Sequence, residues 1–249
     1  MPFVCGGFPT PGTTARTLAA LDRAGASVIE VGLPFSDPIA DGPVIASAMH
    51  DALKAGSTPR TVLDEIARAR GEVEAGIVAM VSMSIVHRMG GPAGFAAAAR
   101  DRGVDGLIVP DVPLEESGEL QAAARDHGLT LSLLIAPTTP FERAAAIAQV
   151  CTGFVYMLAR SGITGERGEM PDLGPRIRKL RTVTDLPIAC GFGISTPEHV
   201  RAITNDADAA IVGSAIVRRM REAVAAGADA VSAAAEFTRS LVNGLATGR

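Results

Sequence analysis

Eight short β-rich runs, bounded by Gly, Pro or Asp and mostly followed by a stretch with helical spacing, succeed one another along the chain, and this alternation constrains the fold most. The runs occupy 3–8, 28–33, 76–82, 106–109, 130–135, 153–158, 187–191 and 209–212. Helices are predicted over 13–24, from Pro43 to about Lys54, and over 59–70, 93–102, 115–127, 141–150, 173–182 and 197–205, with 230–242 closing the chain. Unbroken alternation without a linker predicts a single α/β domain over 1–249, a closed (β/α)8 TIM barrel. A doubly wound sheet is the structural alternative. Against it, the first strand runs into Gly6-Gly7-Phe8-Pro9, and no G-x-G-x-x-G opens the next helix. In a barrel, chemistry sits at the strand C-termini and the loops that follow them.

The 47% hydrophobic content and mean hydropathy of +0.27 come largely from alanine. No apolar run approaches the roughly 20 residues of a membrane span. No basic segment precedes an apolar one at the N-terminus, where Met1-Pro2-Phe3-Val4-Cys5 already reads as a buried strand. These features predict a cytoplasmic protein with no membrane association. Cys5, Cys151 and Cys190 lack metal-ligand spacing and lie among apolar neighbours, as packed free thiols do. A net charge of −4 without a long block of one sign argues against a nucleic-acid surface and for a small molecule or a protein as partner.

In Val28-Ile29-Glu30-Val31-Gly32-Leu33, strand alternation puts Glu30 on one face with Val28 and Gly32, and the bulky apolar residues on the other. The bulky face should meet the helices. Glu30 then points into the barrel mouth, where desolvation would raise its pKa and suit it to proton transfer. The alternative is a carboxylate paired with a cation or held by backbone amides. The next loop, Pro34-Phe35-Ser36-Asp37-Pro38-Ile39-Ala40-Asp41-Gly42-Pro43, leads into a helix. By composition alone Asp41 reads as a helix cap and Asp37 as a turn former. Gly191-Phe192-Gly193 and Gly213-Ser214 end strands seven and eight, where bare amides could converge on an anion and a short helix could begin. Gly162-Ile163-Thr164-Gly165-Glu166-Arg167-Gly168, long and glycine-rich, could act as a lid. Tyr156, the only tyrosine, alternates inward with Phe154 and Leu158.

The run from Ile29 to Pro43, Ile-Glu-Val-Gly-Leu-Pro-Phe-Ser-Asp-Pro-Ile-Ala-Asp-Gly-Pro, resembles the signature of the tryptophan synthase α-subunit family. The resemblance continues through Asp111-Val112-Pro113-Leu114-Glu115-Glu116, Arg160-Ser161-Gly162-Ile163-Thr164-Gly165, Gly191-Phe192-Gly193-Ile194-Ser195 and Gly213-Ser214-Ala215-Ile216-Val217, over essentially the whole chain. It implies retro-aldol cleavage of indole-3-glycerol phosphate to indole and glyceraldehyde 3-phosphate. Glu30 and Asp41 take the places of the catalytic pair, and Tyr156 lies beside the glutamate. Phe3, Ile108, Phe192 and Thr164 are expected at the substrate, and Gly165, Gly193, Gly213 and Ser214 at its phosphate. Val81, Ile135 and Phe154 are further candidates for the indole pocket. The resemblance also implies an α2β2 heterotetramer with a β subunit that carries pyridoxal phosphate, this chain holding no cofactor. Loops 34–42 and 160–171 are the expected switches at the partner, and Asp111-Val112-Pro113 is expected on the same face.

The residues permit that chemistry without help. Schiff-base aldolases use a strand-end lysine, whereas Lys54 and Lys179 are the only lysines and both fall in predicted helices. His50, His87, His127 and His199 are scattered without metal-binding spacing, and no metal is expected. Indole supplies its own electron sink once C3 is protonated, so two carboxylates suffice. Indole-3-glycerol phosphate synthase is an alternative that would need barrel lysines. A barrel that only activates a partner is another, disfavoured by the intact Glu30/Asp41 pair. Two features depart from the family: no helix precedes the first strand, predicting a less covered barrel bottom, and Ser82-Met83-Ser84-Ile85-Val86-His87 follows strand three in place of an aromatic and asparagine region.

Overall fold

A computed structural model describes residues 1–38, 41–159, 172–191 and 193–245. Strands β1 (Phe3–Cys5), β2 (Val28–Gly32), β3 (Gly76–Met80), β4 (Gly106–Ile108) and β5 (Thr130–Ser132) pair in sequence order, all parallel. A second parallel run joins β6 (Leu134–Ile135), β7 (Val155–Leu158), β8 (Ile188–Gly191) and β9 (Ala209–Ile211). β5 and β6 are halves of one strand, broken where the Leu133 amide donates to Cys151 Sγ at 3.3 Å. The halves pair with β4 and β7 respectively, so the broken strand bridges the two runs. At the other seam, Phe3 N donates to Val212 O at 2.8 Å and Val212 N to Met1 O at 3.0 Å. First and last strands therefore meet and the sheet closes into the expected (β/α)8 barrel, which overturns the doubly wound alternative.

Helices Thr13–Arg23, Pro43–Lys54, Pro59–Ala69, Gly91–Arg100, Phe141–Val150, Gly174–Leu180, Pro197–Thr204 and Ala230–Asn243 fall within two residues of their predicted ends. The helix expected over 115–127 is split: Leu114–Glu116 forms a 3-10 turn, and the α-helix is Gly118–Asp126. Ser214–Ala225 is longer than the short helix expected there, and Met83–Arg88 lies in a segment with no predicted helix.

Strand alternation sorts the apolar side chains into two layers. Val78, Ile108, Phe154, Tyr156, Ala189 and Ile211 pack together inside the barrel, with Val28, Met80, Leu134 and Leu158 against them. Their chain neighbours Ile29, Ile77, Leu107, Val155 and Met157 pack in the layer shared with the helices. Each large apolar side chain so buried contributes about 1.5–3 kcal/mol. Ile108 and Phe154 therefore face inward as expected. Val81 and Ile135 do not, because each follows an inward residue, Met80 and Leu134, and period-2 alternation turns it toward the helices.

Two devices hold the ends of the barrel. At the bottom, Asp105 and Asp208, each just before a strand, accept from an amide of the preceding strand, Ile77 N and Ile188 N, both at 2.8 Å. Each also takes an arginine, Arg70 at 3.0 Å and Arg181 at 2.8 Å, so the arrangement repeats across the two halves of the barrel. At the mouth, the buried Glu65 carboxylate accepts from Gly12 N at 2.6 Å and Thr14 N at 2.8 Å, capping a helix whose own N-cap is a glycine. Gly7 beside it has φ +78°, and a Cβ there would lie 2.1 Å from Ser57 Oγ, so only glycine fits.

Candidate active site

Glu30 sits mid-way along β2, level with Phe3 and Val78, and is fully buried. Among the described residues, neither carboxyl oxygen has a hydrogen-bond partner. Among the described residues no cation or backbone amide holds it by a hydrogen bond, and the N-terminal ammonium acts on it only through its charge, which partly offsets the rise in pKa. Burial, reinforced by the charge of Asp41, pushes its pKa up to about 8. A buried carboxyl without a hydrogen bond costs stability, and such a group in the mouth of a barrel marks a candidate functional site.

Asp41 lies on the loop after β2, half buried, and burial raises its pKa to about 6. It does not act as the helix cap that its position suggested: Gly42 is the N-cap of helix Pro43–Lys54, and no side chain caps it. Asp37 is at the surface, where it accepts from Ser36 Oγ at 2.6 Å. The Tyr156 ring presses on Gly191, where a Cβ would come within 2.6 Å of the tyrosine oxygen. Burial and then the charges of Glu30 and Asp41 raise its pKa well above the usual value, so it stays a neutral phenol near the pair.

Above Glu30 on the inward row, Gly32 leaves a gap filled by the Phe3 ring; a Cβ there would be 2.6 Å from Phe3 Cζ and 3.3 Å from Met49 Cε. The same ring lies against Gly213, with Phe3 Cδ1 3.3 Å from where a Cβ would stand. Phe3 thus forms a floor running from β2 to the end of β9. Met49 was not anticipated, although a glycine inside a strand signals that something approaches closely.

Cys190 and Gly191 pair with Ala210 and Ile211, so the chain continues from adjacent strand ends to Gly193 and Gly213. Gly193 is buried with φ +84°, and Gly213 is the N-cap of helix Ser214–Ala225, again without a side-chain cap. The first-turn amides of that helix follow directly on the C-terminal end of β9 and have no partner within the helix, an arrangement suited to an anion. Ser214 is buried beside them. Thr164, Gly165 and Phe192, with the expected lid 160–171, lie outside the described residues. The three cysteines are free and buried, as expected.

A closed parallel barrel with two desolvated carboxyls, one inside β2 and one on the loop that follows it, is a barrel equipped to move protons on a substrate held in its mouth. The comparisons with known proteins narrow the class: the model of the family described as "Tryptophan synthase alpha chain" matches residues 1–245. The tryptophan synthase alpha chain of a Picosynechococcus species is 43% identical over 99% of this chain and 93% of its own. That of Halobacterium salinarum is 42% identical over 99% and 90%. Among solved structures, the alpha subunit of Legionella pneumophila superposes with a TM-score of 0.89 at 32% identity, covering 98% of this chain and 91% of that one. A chain of the tryptophan synthase α2β2 complex of Pyrococcus furiosus gives 0.85 at 32%, covering 97% and 96%. The chain belongs to the tryptophan synthase alpha chain family. It is a lyase of tryptophan biosynthesis that cleaves indole-3-glycerol phosphate to indole and glyceraldehyde 3-phosphate.

Proposed function

We propose that Glu30 and Asp41 divide the cleavage between them. Glu30, protonated in its buried position, gives its proton to C3 of the indole, making an indolenine. The bond between C3 and the side chain then breaks, its electron pair returning to the ring, while the hydroxyl on the departing carbon gives its proton to the Glu30 carboxylate and becomes the aldehyde. One proton has moved from oxygen to carbon and the acid is regenerated. Asp41, ionised, accepts the indole N–H and stabilises the positive charge that develops on the ring. Tyr156, Phe3, Ile108, Phe192 and Thr164 enclose the ring and glycerol arm. Amides of Gly165, Gly193, Gly213 and Ser214 take the phosphate. The observation that carries this reading is the buried carboxyl of Glu30 with no hydrogen-bond partner among the described residues. Residues 1–249 act as one domain, supported by strands that close a single barrel.

The pH profile tests it. Activity requires Asp41 ionised and Glu30 protonated, so the rate rises as pH passes about 6 and falls as it passes about 8. The limits belong to the coupled pair rather than to either residue alone. A rate constant across roughly pH 5–9, measured as indole release, contradicts the assignment.

The reading includes a β subunit in an α2β2 assembly, pyridoxal phosphate belonging to the β subunit, and a place in the cytoplasm. The Pyrococcus furiosus complex supports the assembly. Among the described residues, no helix is long and apolar enough to cross a membrane. The docking face takes the loops after β2, β3 and β4. Asp111 accepts from Ser82 Oγ at 2.7 Å and Met83 N at 2.9 Å, fastening two of these loops together. Ordering of 34–42 and 160–171 by the partner would align Asp41, and by linkage substrate would tighten the partner's grip.

A further inference from the structure

Two helices begin at the two ends of the proposed substrate site. Pro43–Lys54 starts two residues after Asp41, and Ser214–Ala225 starts at the proposed phosphate amides. They flank β1, touch each other, and are joined by an ion pair, Arg221 Nη2 to Asp51 Oδ2 at 2.8 Å. Asp51 lies about 12 Å along its helix from Pro43, and Arg221 about 11 Å from Ser214. The pair is thus a cross-strut at equal depth, two turns below each helix start. Above it the guanidinium lies over the buried Phe8 ring, 5.1 Å from its centroid, so the loop after β1 joins the same tie. Arg221 Nε is buried without a hydrogen-bond partner among the described residues, and Nη2 meets Asp51 without a hydrogen bond's alignment. The arginine is therefore held by charge and stacking.

We infer that Arg221, through Asp51 and Phe8, is a positioning residue that sets the distance between the ring-binding carboxylate and the phosphate amides. The inference rests on the proposed roles of Asp41, Gly213 and Ser214. Both partners of the ion pair keep about two-fifths of their side chains exposed, so the pair adds little to stability. Its effect falls on a ligand that must reach both ends at once. A mismatch of about 1 Å in such a site can cost roughly 10²-fold in rate.

The test compares whole substrate with its fragments. Arg221→Gln is expected to lower kcat for indole-3-glycerol phosphate about 10- to 100-fold. The dissociation constants of indole and of glycerol 3-phosphate, each touching one end only, should stay within about twofold, because neither spans the strut. Asp51→Arg and Arg221→Asp should each impair turnover, and the double charge swap should recover most of it. An unchanged kcat in Arg221→Gln, loss of both fragment affinities, or a loss that the charge swap does not restore overturns the inference. Gly213→Asp in the same assay separates this from the site reading. If it abolishes glycerol 3-phosphate binding while Arg221→Gln is silent, the strut fails and the site stands; if it leaves binding intact, the site reading itself fails.

Discussion

Glu30→Gln is expected to reduce indole release by about 10²–10⁴-fold, the usual cost of a lost acid–base group. Glutamine has nearly the same shape and needs no desolvated charge, so the barrel remains folded. The variant should even be the more stable protein at alkaline pH. Folding raises the pKa of Glu30 from an ordinary 4.5 to about 8. Between those values the native chain binds the proton that the unfolded chain releases, so stability from this group is present below the lower value and is lost as pH climbs through the upper one. Glutamine removes that loss. The gap in Tm between variant and wild type should therefore widen as pH rises from roughly 5 to 9. Retention of most activity, or a variant uniformly less stable across that range, contradicts the assignment.

Gly213→Asp is expected to raise KM for indole-3-glycerol phosphate by about 10²–10³-fold, since juxtaposed like charges cost several kcal/mol. The backbone tolerates the change, with Gly213 at φ −112°, and the new Cβ needs only a few tenths of an ångström from the Phe3 ring. Gly193 is a poorer choice for this test. Its φ of +84° means that any side chain strains the backbone, so a folding defect would obscure the electrostatic effect. Circular dichroism and kinetics on Gly213→Asp give the answer, and an unchanged KM in a folded variant moves the phosphate elsewhere.

The parts of the fold set by local pattern could be read from the sequence. Period-2 alternation in residues 28–33 placed Glu30 inward and Ile29 and Val31 outward, and the barrel interior holds Val78, Ile108, Phe154 and Tyr156 on the same rule. Features set by distant partners could not be read. The break at Leu133 depends on a thiol 18 residues away. Helix Met83–Arg88 is only six residues long; Ser82 caps it, and Asp111, 28 residues on, accepts from the first helical amide. A local reading also makes Asp41 a cap, but the N-cap falls one residue later, at Gly42, leaving the carboxylate free of that duty. The tie from Asp51 to Arg221 joins residues 170 positions apart and has no local signal.

A structure of the Glu30→Gln variant with indole-3-glycerol phosphate bound tests the central claim most directly, because the slowed variant should hold the substrate uncleaved. The indole N–H should lie about 3 Å from the Asp41 carboxylate, and C3 should face residue 30. The phosphate should rest on the amides of Gly193, Gly213 and Ser214. A ring turned away from both carboxyl positions, or a phosphate bound outside the β8 and β9 strand ends, would contradict the division of labour between Glu30 and Asp41.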